Sequence, residues 1–169
     1  DISAMRLSLI SIAAELEAFD PASVVDAKSA RRMDLSCLYG IAAASSAVDD
    51  AGLDLSGIDT SRVGVAFGTS IGALGSTLSS NDGFLSRGYR GAGLAGLLNS
   101  HIGAGSAEVA CHLGVQGPAI TVGSGSASSN DAIGYALDAI ALDRADGMIA
   151  GGAEAPIIPL VWASMCLGR

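Results

Sequence analysis

The sequence predicts an α/β fold with a mostly parallel central sheet and helices on both faces of the sheet. Three short, almost wholly apolar runs, at residues 62–67, 118–122 and 147–151, alternate with longer segments of helical periodicity. Short apolar strands that alternate with helices are typical of a parallel sheet that is buried on both sides. Because right-handed crossovers connect such strands, we expect the three runs to be adjacent and central.

The composition restricts both the architecture and the partners. A chain of 169 residues, half of them hydrophobic, allows one domain with a packed core. The net charge of −8, with Lys28 as the single lysine, argues against nucleic acid and anionic membranes as partners. Contact with an acidic protein would depend on a local arginine pair, either Arg31–Arg32 or Arg87 with Arg90.

The cysteines and the chain ends indicate a piece of a cytoplasmic protein. Three widely spaced cysteines fit neither a disulfide framework nor a metal site, so each is expected to be a small buried residue. The start of the chain lacks the pattern of a signal peptide, and its apolar runs are too short for a membrane span. A chain that opens without methionine and ends abruptly at Arg169 is expected to be cut from a larger protein.

The first half of the chain contains one clear helix and one clear strand. Residues 6–14 alternate partly and predict an edge strand or an extended segment. Asp34 is placed to cap a helix from Leu35 to about Asp50, which Gly52 ends. The strand at 62–67 leads into a glycine-punctuated loop at 68–75.

The second half begins with an irregular segment and then becomes regular. Residues 76–95, rich in Ser, Gly and Asn, are predicted to form a mobile segment that covers the surface. A helix is expected from about Leu97 to Leu113, closed by Gly114. The strand at Pro118–Val122 is followed by a helix from about Ser128 to Arg144. Its predicted apolar stripe consists of Ile133, Leu137, Ile140 and Ala141.

The stretch that bears most on function is GPAITVGSGSASSNDAIGYALDAI, from Gly117 to Ile140. In it a strand passes through a turn of small residues directly into a helix. Such a junction places a side chain of the turn near free backbone N–H groups and the positive end of the helix dipole. A thiolate or the oxyanion of an acyl intermediate would be stabilised there.

This stretch resembles the active-site segment of the β-ketoacyl synthases, where a Gly-Pro strand is followed by Thr-Ala-Cys and by small residues that open a buried helix. Three more segments resemble the family in the right order. They are RRMD at 31–34 with a helix that ends in DAGL at 50–53, VGVAFGTSIGALG at 63–75, and AGGAE at 150–154. The resemblance covers nearly the whole chain and implies a thiolase-like half-fold.

The resemblance also implies site residues and partners. By register, Ser126 takes the position of the nucleophilic cysteine of the family. Ile71 and Met165 would line or gate an acyl pocket, the alternative being ordinary core packing. The implied partners are an acyl carrier protein with a phosphopantetheine-linked acyl chain, and a second subunit in a homodimer or in a heterodimer with an active synthase. No cofactor is implied. Residues 1–169 would be a single partial domain, the N-terminal half of the fold without its first strand.

The serine leaves several functions open. A hydroxyl is too weak an acid for a helix dipole alone to ionise, so it needs a general base. His101 and His112 do not fall at the catalytic positions of the family, and we expect this chain by itself not to catalyse condensation. The whole protein could be a non-condensing partner, like a chain-length factor. It could instead be an acyltransferase or hydrolase of fatty-acid or polyketide biosynthesis that uses Ser126, or Ser126 could merely pack a tight turn.

A second pattern suggests a different class of protein. GTSIG at 68–72 matches the G-x-S-x-G motif after a strand, which resembles the nucleophile elbow of α/β-hydrolases and patatin-like lipases. Ser70 would then be the nucleophile, with Asp146 or Asp82 as its partner. A binding or scaffold protein without chemistry is the third possibility.

Overall fold

The computed structural model describes residues 13–16 and 18–167, which contain a parallel sheet between helices. The strands are β1 (Val63–Gly68), β2 (Ala119–Val122) and β3 (Gly147–Gly152). The helices are α1 (Ala27–Ala30), α2 (Leu35–Asp50), α3 (Leu74–Arg87), α4 (Tyr89–Ser100), α5 (Ala104–Leu113), α6 (Ser128–Ala141) and α7 (Pro159–Leu167). No helix within these described ranges is long and apolar enough to cross a bilayer.

The sheet has the order β2-β1-β3, and both pairings are parallel. Val63 and Gly68 at the two ends of β1 pair with the two ends of β3, and Gly68 also pairs with the last residue of β2. The prediction of three adjacent, parallel strands is therefore confirmed. Because the strands share one direction, the loops that follow them emerge at one edge of the sheet.

The two faces of β1 differ in the size of their side chains, and different helices pack on each face. Val63, Val65 and Phe67 point to one face and pack with residues of α2 and α5. The intervening residues Gly64 and Ala66 point to the other face, where α6 packs across all three strands. The small residues bring α6 close to the sheet, and helices cover both faces as predicted.

The face that α6 presents to the sheet consists of alanines and not of the larger apolar residues. Ala132, Ala136 and Ala139 are buried against the strands. The stripe of larger residues points away from the sheet, with Ile133 54%, Leu137 68% and Ile140 45% exposed, and Ala141 is exposed as well. The glycine- and alanine-lined face of β1 brings the helix too close to the sheet for larger side chains, so the apolar stripe lies on the opposite side of α6.

Three predictions need correction. Residues 76–95 are not an irregular segment, because α3 and α4 pack against each other with the backbones of Gly83 and Gly91 in close contact. The single helix expected over 97–113 is two helices, α4 and α5, separated at residues 101–103. Cys111 is exposed, although Cys37 is buried as expected. Of the predicted edge strand at 6–14, only residues 13 and 14 lie within the described residues, and they are irregular.

A buried carboxylate fixes the start of α2 as the sequence predicts. Asp34 is only 5% exposed, and its Oδ1 accepts hydrogen bonds from the backbone N–H and the Oγ of Ser36, at 2.9 and 2.6 Å. Its Oδ2 accepts from the backbone N–H and the Oγ of Ser76 in α3, at 3.3 and 2.6 Å. One side chain thus caps α2 and joins it to the helix that follows β1.

An ion cluster closes the opposite edge of the sheet, where β1 and β3 begin. The Arg62 guanidinium lies 2.5 Å from an Asp143 carboxylate oxygen and 2.7 Å from Asp146. Asp143 has a positive φ of 56°, an uncommon conformation for a residue other than glycine. The hydrogen bond and charge of Arg62 hold the pKa of Asp146 below its usual value.

The stabilisation from this cluster should depend on pH. Because the folded pKa of Asp146 is below the unfolded value of 3.8, its contribution is present above that value and is lost as the pH falls through the folded pKa. Asp146→Asn should therefore lower the free energy of unfolding at pH 7, and the deficit should shrink below about pH 4. Urea unfolding at both pH values measures this, with Asp82→Asn as the control. An equal deficit at both pH values would contradict it.

Candidate functional site

The candidate site is a pocket at the edge of the sheet where the strands end. Its volume is about 330 Å³, and its walls come from the loops after β1, β2 and β3 and from α7. The sequence-predicted residues Ser126, Ile71 and Met165 all line it, although they are far apart in the chain. Ser70, the nucleophile of the hydrolase hypothesis, lines the same pocket. Sequence reasoning thus indicated this region through two independent motifs.

Ser126 lies in a tight turn between β2 and α6. The turn is a single 3₁₀ turn, Gly125–Ala127, which runs directly into the first residue of α6. Gly125 has a φ of 70°, a conformation that glycine adopts without steric cost. The predicted strand-to-helix junction is present. The Ser126 side chain is exposed in this chain and forms no hydrogen bond with the described residues.

Ser128, the first residue of α6, fixes the turn around Ser126 from beneath. It is 3% exposed, and its Oγ accepts a hydrogen bond from the Ser124 backbone N–H at 3.0 Å. The same hydroxyl lies within donating distance of the carbonyl oxygens of Gly125, at 2.6 Å, and Thr69, at 3.0 Å. One buried hydroxyl therefore connects the turn after β2 with the loop after β1.

Two glycines let the start of α6 reach the strand ends. A Cβ atom added to Gly68 would lie 2.5 Å from the carbonyl carbon of Ser128 and from the backbone nitrogen of Ser129. A Cβ added to Gly152 would overlap the Gly68 carbonyl oxygen and the Ser129 hydroxyl. Since side-chain atoms do not approach backbone this closely, both positions require glycine, which brings Ser126 over the ends of β1 and β3.

Glu154, which follows β3, accepts hydrogen bonds from the loop after β1. One carboxylate oxygen accepts hydrogen bonds from the backbone N–H groups of Ser70, at 2.5 Å, and Ile71, at 3.2 Å. The other accepts from the Thr69 hydroxyl at 3.0 Å, and that hydroxyl in turn accepts from the Gly72 N–H at 3.2 Å. With these partners Glu154 acts as a structural acceptor, and the two N–H groups it binds are not free to stabilise an oxyanion.

The pocket supplies hydroxyl groups but no cation. Its lining contains the hydroxyls of Ser70, Ser126 and Ser129, and Glu154 is its one ionisable side chain among the described residues. His101 and His112 are exposed at the ends of α4 and α5, and neither lines this pocket. No group of three metal-binding side chains occurs in the described part of the chain. The described residues therefore bring hydroxyl groups to this pocket but no histidine.

Ile71 and Met165 both lie at the surface of the described chain, and their role in an acyl pocket stays a prediction. Ile71 is 37% exposed and Met165 62% exposed, and both face the pocket that also contains Ser126. Met165 lies on α7, which begins seven residues after the end of β3. The arrangement places two apolar side chains in the same pocket as the Ser126 hydroxyl.

The hydrolase hypothesis lacks a catalytic carboxylate at Ser70. Asp146 precedes β3 and pairs with Arg62, whereas Ser70 follows the end of the parallel strand β1. The two residues thus lie at opposite ends of six-residue strands, roughly 20 Å apart. Asp82, the other proposed partner, lies in α3 and does not line the pocket. The carboxylate that does contact this loop is Glu154.

Sequence reasoning missed Glu154, Ser128 and the pair Ser124–Asp131 as parts of the site. The Ser124 hydroxyl donates a hydrogen bond to a carboxylate oxygen of Asp131, which is in the first turn of α6. A signal was available for Glu154, since an acidic residue directly follows a glycine-rich strand end. Nothing in the sequence indicated that the hydroxyl of Ser128, rather than that of Ser126, is the buried one.

Comparison with known proteins agrees with this geometry. Residues 6–169 match the family model described as β-ketoacyl synthase, N-terminal domain. A 3-oxoacyl-[acyl-carrier-protein] synthase 2 of Coxiella burnetii is 35% identical over 149 residues, which is 88% of this chain and 36% of the relative. The chain thus spans just over a third of the length of this curated relative.

Solved structures show the same fold. One is a ketosynthase of a type II polyketide synthase, in complex with its acyl carrier protein, with a TM-score of 0.84 and 26% identity over 89% of this chain and 44% of that one. The ishigamide ketosynthase/chain length factor has a TM-score of 0.70 at 20% identity, over 82% and 39% of the two chains, and supports the fold alone. The fold is therefore thiolase-like, and the chain belongs to the β-ketoacyl synthase family, in which it represents the N-terminal domain.

Proposed function

We propose that this chain is part of a protein that handles acyl chains on an acyl carrier protein, with Ser126 in place of the nucleophilic cysteine. The observation that carries the proposal is the pocket that brings Ser126 together with Ile71 and Met165 at a strand-to-helix junction. The related Coxiella protein is named for a reaction on acyl carrier protein, and a similar ketosynthase was solved with its carrier.

We infer that the chain as it stands does not catalyse condensation. Ser126 has no hydrogen-bonded base among the described residues, and the only carboxylate of its pocket is occupied by backbone donors and a hydroxyl. An alcohol without a base is a poor nucleophile toward a thioester. In the complete protein the function is then either that of a non-condensing partner, similar to a chain-length factor, or that of an acyltransferase with a base from elsewhere.

The exposed apolar face of α6 supports the view that residues 1–169 are one half of a larger domain. Ile133, Leu137 and Ile140 are about half exposed or more, which is costly for a helix in the middle of a fold. We infer that the C-terminal half of the family fold covers them. β2 pairs only with β1 in the described chain, so its outer edge is open for a second subunit, either the same protein or an active synthase. A cytoplasmic location fits such a complex.

Acyl loading tests the role of Ser126. The complete protein that contains this chain is incubated with an acyl thioester of pantetheine or of acyl carrier protein, and the loaded residue is identified by peptide mass spectrometry. For an acyltransferase, the carbonyl carbon bonds to Ser126 Oγ, the C–S bond breaks, and the serine proton ends on the released thiol. We expect an ester on Ser126 that Ser126→Ala abolishes.

Ser129→Ala is the matched control, because it removes a second exposed hydroxyl of the same pocket. It should leave the loading of Ser126 within about twofold. An ester on Ser70 would instead support the hydrolase hypothesis. If no residue is loaded but the protein binds acyl carrier protein or an active synthase, the non-condensing partner is the correct form of the proposal. With neither loading nor binding, the proposal is wrong.

A further inference from the structure

The start of α6 carries a negative charge that is fixed beside the turn of Ser126. Asp131 lies in the first turn of the helix, and its carboxylate accepts a hydrogen bond from the hydroxyl of Ser124. Ser124 is two residues before Ser126 and is itself anchored, since its backbone N–H donates to the buried Ser128. The carboxylate is therefore held against the turn by Ser124, on the exposed side of the helix.

The two ionisable side chains that the described residues place at this pocket and its turn are both acidic. Glu154 is the one ionisable side chain that lines its pocket in the described chain, and Asp131 adds a second carboxylate from the helix. The charge of Glu154 is directed at the Ser70 and Ile71 N–H groups and the Thr69 hydroxyl. Arg62 lies at the opposite edge of the sheet, in ion pairs with Asp143 and Asp146. Among the described residues, Asp131 forms no ion pair with a cationic side chain.

The helix dipole and Asp131 act on Ser126 in opposite directions. The N–H groups at the start of α6 carry a partial positive charge, which would favour an anion on the preceding turn. No side chain caps this end at Ala127, and Asp131 is the acidic residue of the first turn. A carboxylate in the first turn stabilises the helix, but it repels any second anion at the same place.

We propose that Asp131, held by Ser124, cancels the positive end of α6 at the turn and so adapts this site to an uncharged hydroxyl instead of a thiolate. Asp131 is a positioning and electrostatic residue that acts through the helix end and Ser124. The inference rests on the proposed placement of Ser126 at the nucleophile position. It implies that a cysteine placed at 126 would not become a strongly activated thiolate.

A cysteine at position 126 probes directly the electrostatic potential that the helix dipole and Asp131 create at this turn. In the complete protein, Ser126→Cys is compared with Ser126→Cys combined with Asp131→Asn, and the rate of alkylation of that residue by iodoacetamide is followed from pH 5.5 to 9.5. Peptide mass spectrometry separates this site from the exposed Cys111. Burial raises the pKa of the Cys37 thiol to about 12, so that residue does not interfere.

Removing the carboxylate should shift the alkylation profile of Cys at 126 to lower pH and raise its rate at pH 6.5 about two- to fivefold. Asp138→Asn is the matched control, because it neutralises an exposed aspartate seven residues further along α6, roughly 10 Å along the helix axis. It should leave the rate within experimental error. Ser124→Ala, which releases the Asp131 carboxylate, should raise the rate by less than Asp131→Asn does.

The inference is overturned if Asp131→Asn and Asp138→Asn give the same profile, or if neutralising Asp131 shifts the profile to higher pH. Circular dichroism of each variant shows whether α6 is intact when the profiles are compared. Because alkylation requires no acyl donor, its outcome is independent of acyl loading. A failure of the proposed function would appear as absent loading and binding, whereas a failure of this inference would appear as an unchanged alkylation profile.

Discussion

Replacing Gly68 with alanine should lower the free energy of unfolding by about 3 kcal/mol. The added Cβ would lie 2.5 Å from the carbonyl carbon of Ser128 and from the nitrogen of Ser129. Both atoms belong to the backbone, so neither can move aside as a side chain could. To relieve the overlap the start of α6 must move away from the sheet, and the turn of Ser126 must move with it. Chemical unfolding in urea measures the loss.

Gly151→Ala is the matched control for this prediction. Gly151 is also a strand glycine of the same sheet, but a Cβ added there meets no atom within 4 Å. Alanine at that position should change stability by less than about 1 kcal/mol, with stabilisation as the expected sign because alanine restricts the unfolded chain. If the two substitutions cost the same, the close approach of α6 to β1 is not what requires glycine at position 68.

Replacing Asp34 with alanine should also cost about 3 kcal/mol. The substitution removes the cap of α2, which typically contributes about 0.5–2 kcal/mol. It also leaves the hydroxyls and N–H groups of Ser36 and Ser76 without their acceptor in an interior where an unsatisfied polar group costs about 1–3 kcal/mol. Because Ser76 belongs to α3, the loss should extend to that helix, and hydrogen exchange of α3 amides should accelerate.

Asp54→Ala provides the comparison, because Asp54 makes the same pair of hydrogen bonds to Ser56, at 2.9 and 2.6 Å, on the exposed surface. It should cost clearly less, since water replaces the lost acceptor. Ser76→Ala separates the link to α3 from the cap and should give an intermediate loss. Equal losses for Asp34→Ala and Asp54→Ala would show that burial of the Asp34 cluster contributes little.

The sequence was sufficient to predict the elements that depend on local patterns. The cap at Asp34, the helix Leu35–Asp50 and the left-handed glycine at 114 follow from local rules and are present. The three strands differ from their predicted bounds by one residue at most at either end. The helix over residues 74–87 was not predicted, because its Ser, Asn and Gly residues have low helix propensity, and packing against α4 decides its structure.

The location of the candidate site could be predicted from the sequence, but the hydrogen bonds within it could not. The position of Ser126 at the junction, and the convergence of Ile71 and Met165 on one pocket, followed from the motifs. The motifs did not indicate which face of α6 packs on the sheet. That face depends on which side of β1 carries small residues and on which helix packs there. The hydrogen bonds of Glu154 join it to residues 83 to 85 positions away, and no local pattern specifies such pairs.

The hydrogen bonds between Glu154 and the loop after β1 can form only late in the synthesis of this region. Ser70 leaves the ribosome 84 residues before Glu154 does, an interval of about 4–17 s at typical rates of 5–20 residues per second. Until then the backbone N–H groups of Ser70 and Ile71 lack the carboxylate that accepts from them in the folded chain, and β1 cannot yet pair with β3. Late closure therefore makes the pocket one of the last parts of this region to mature.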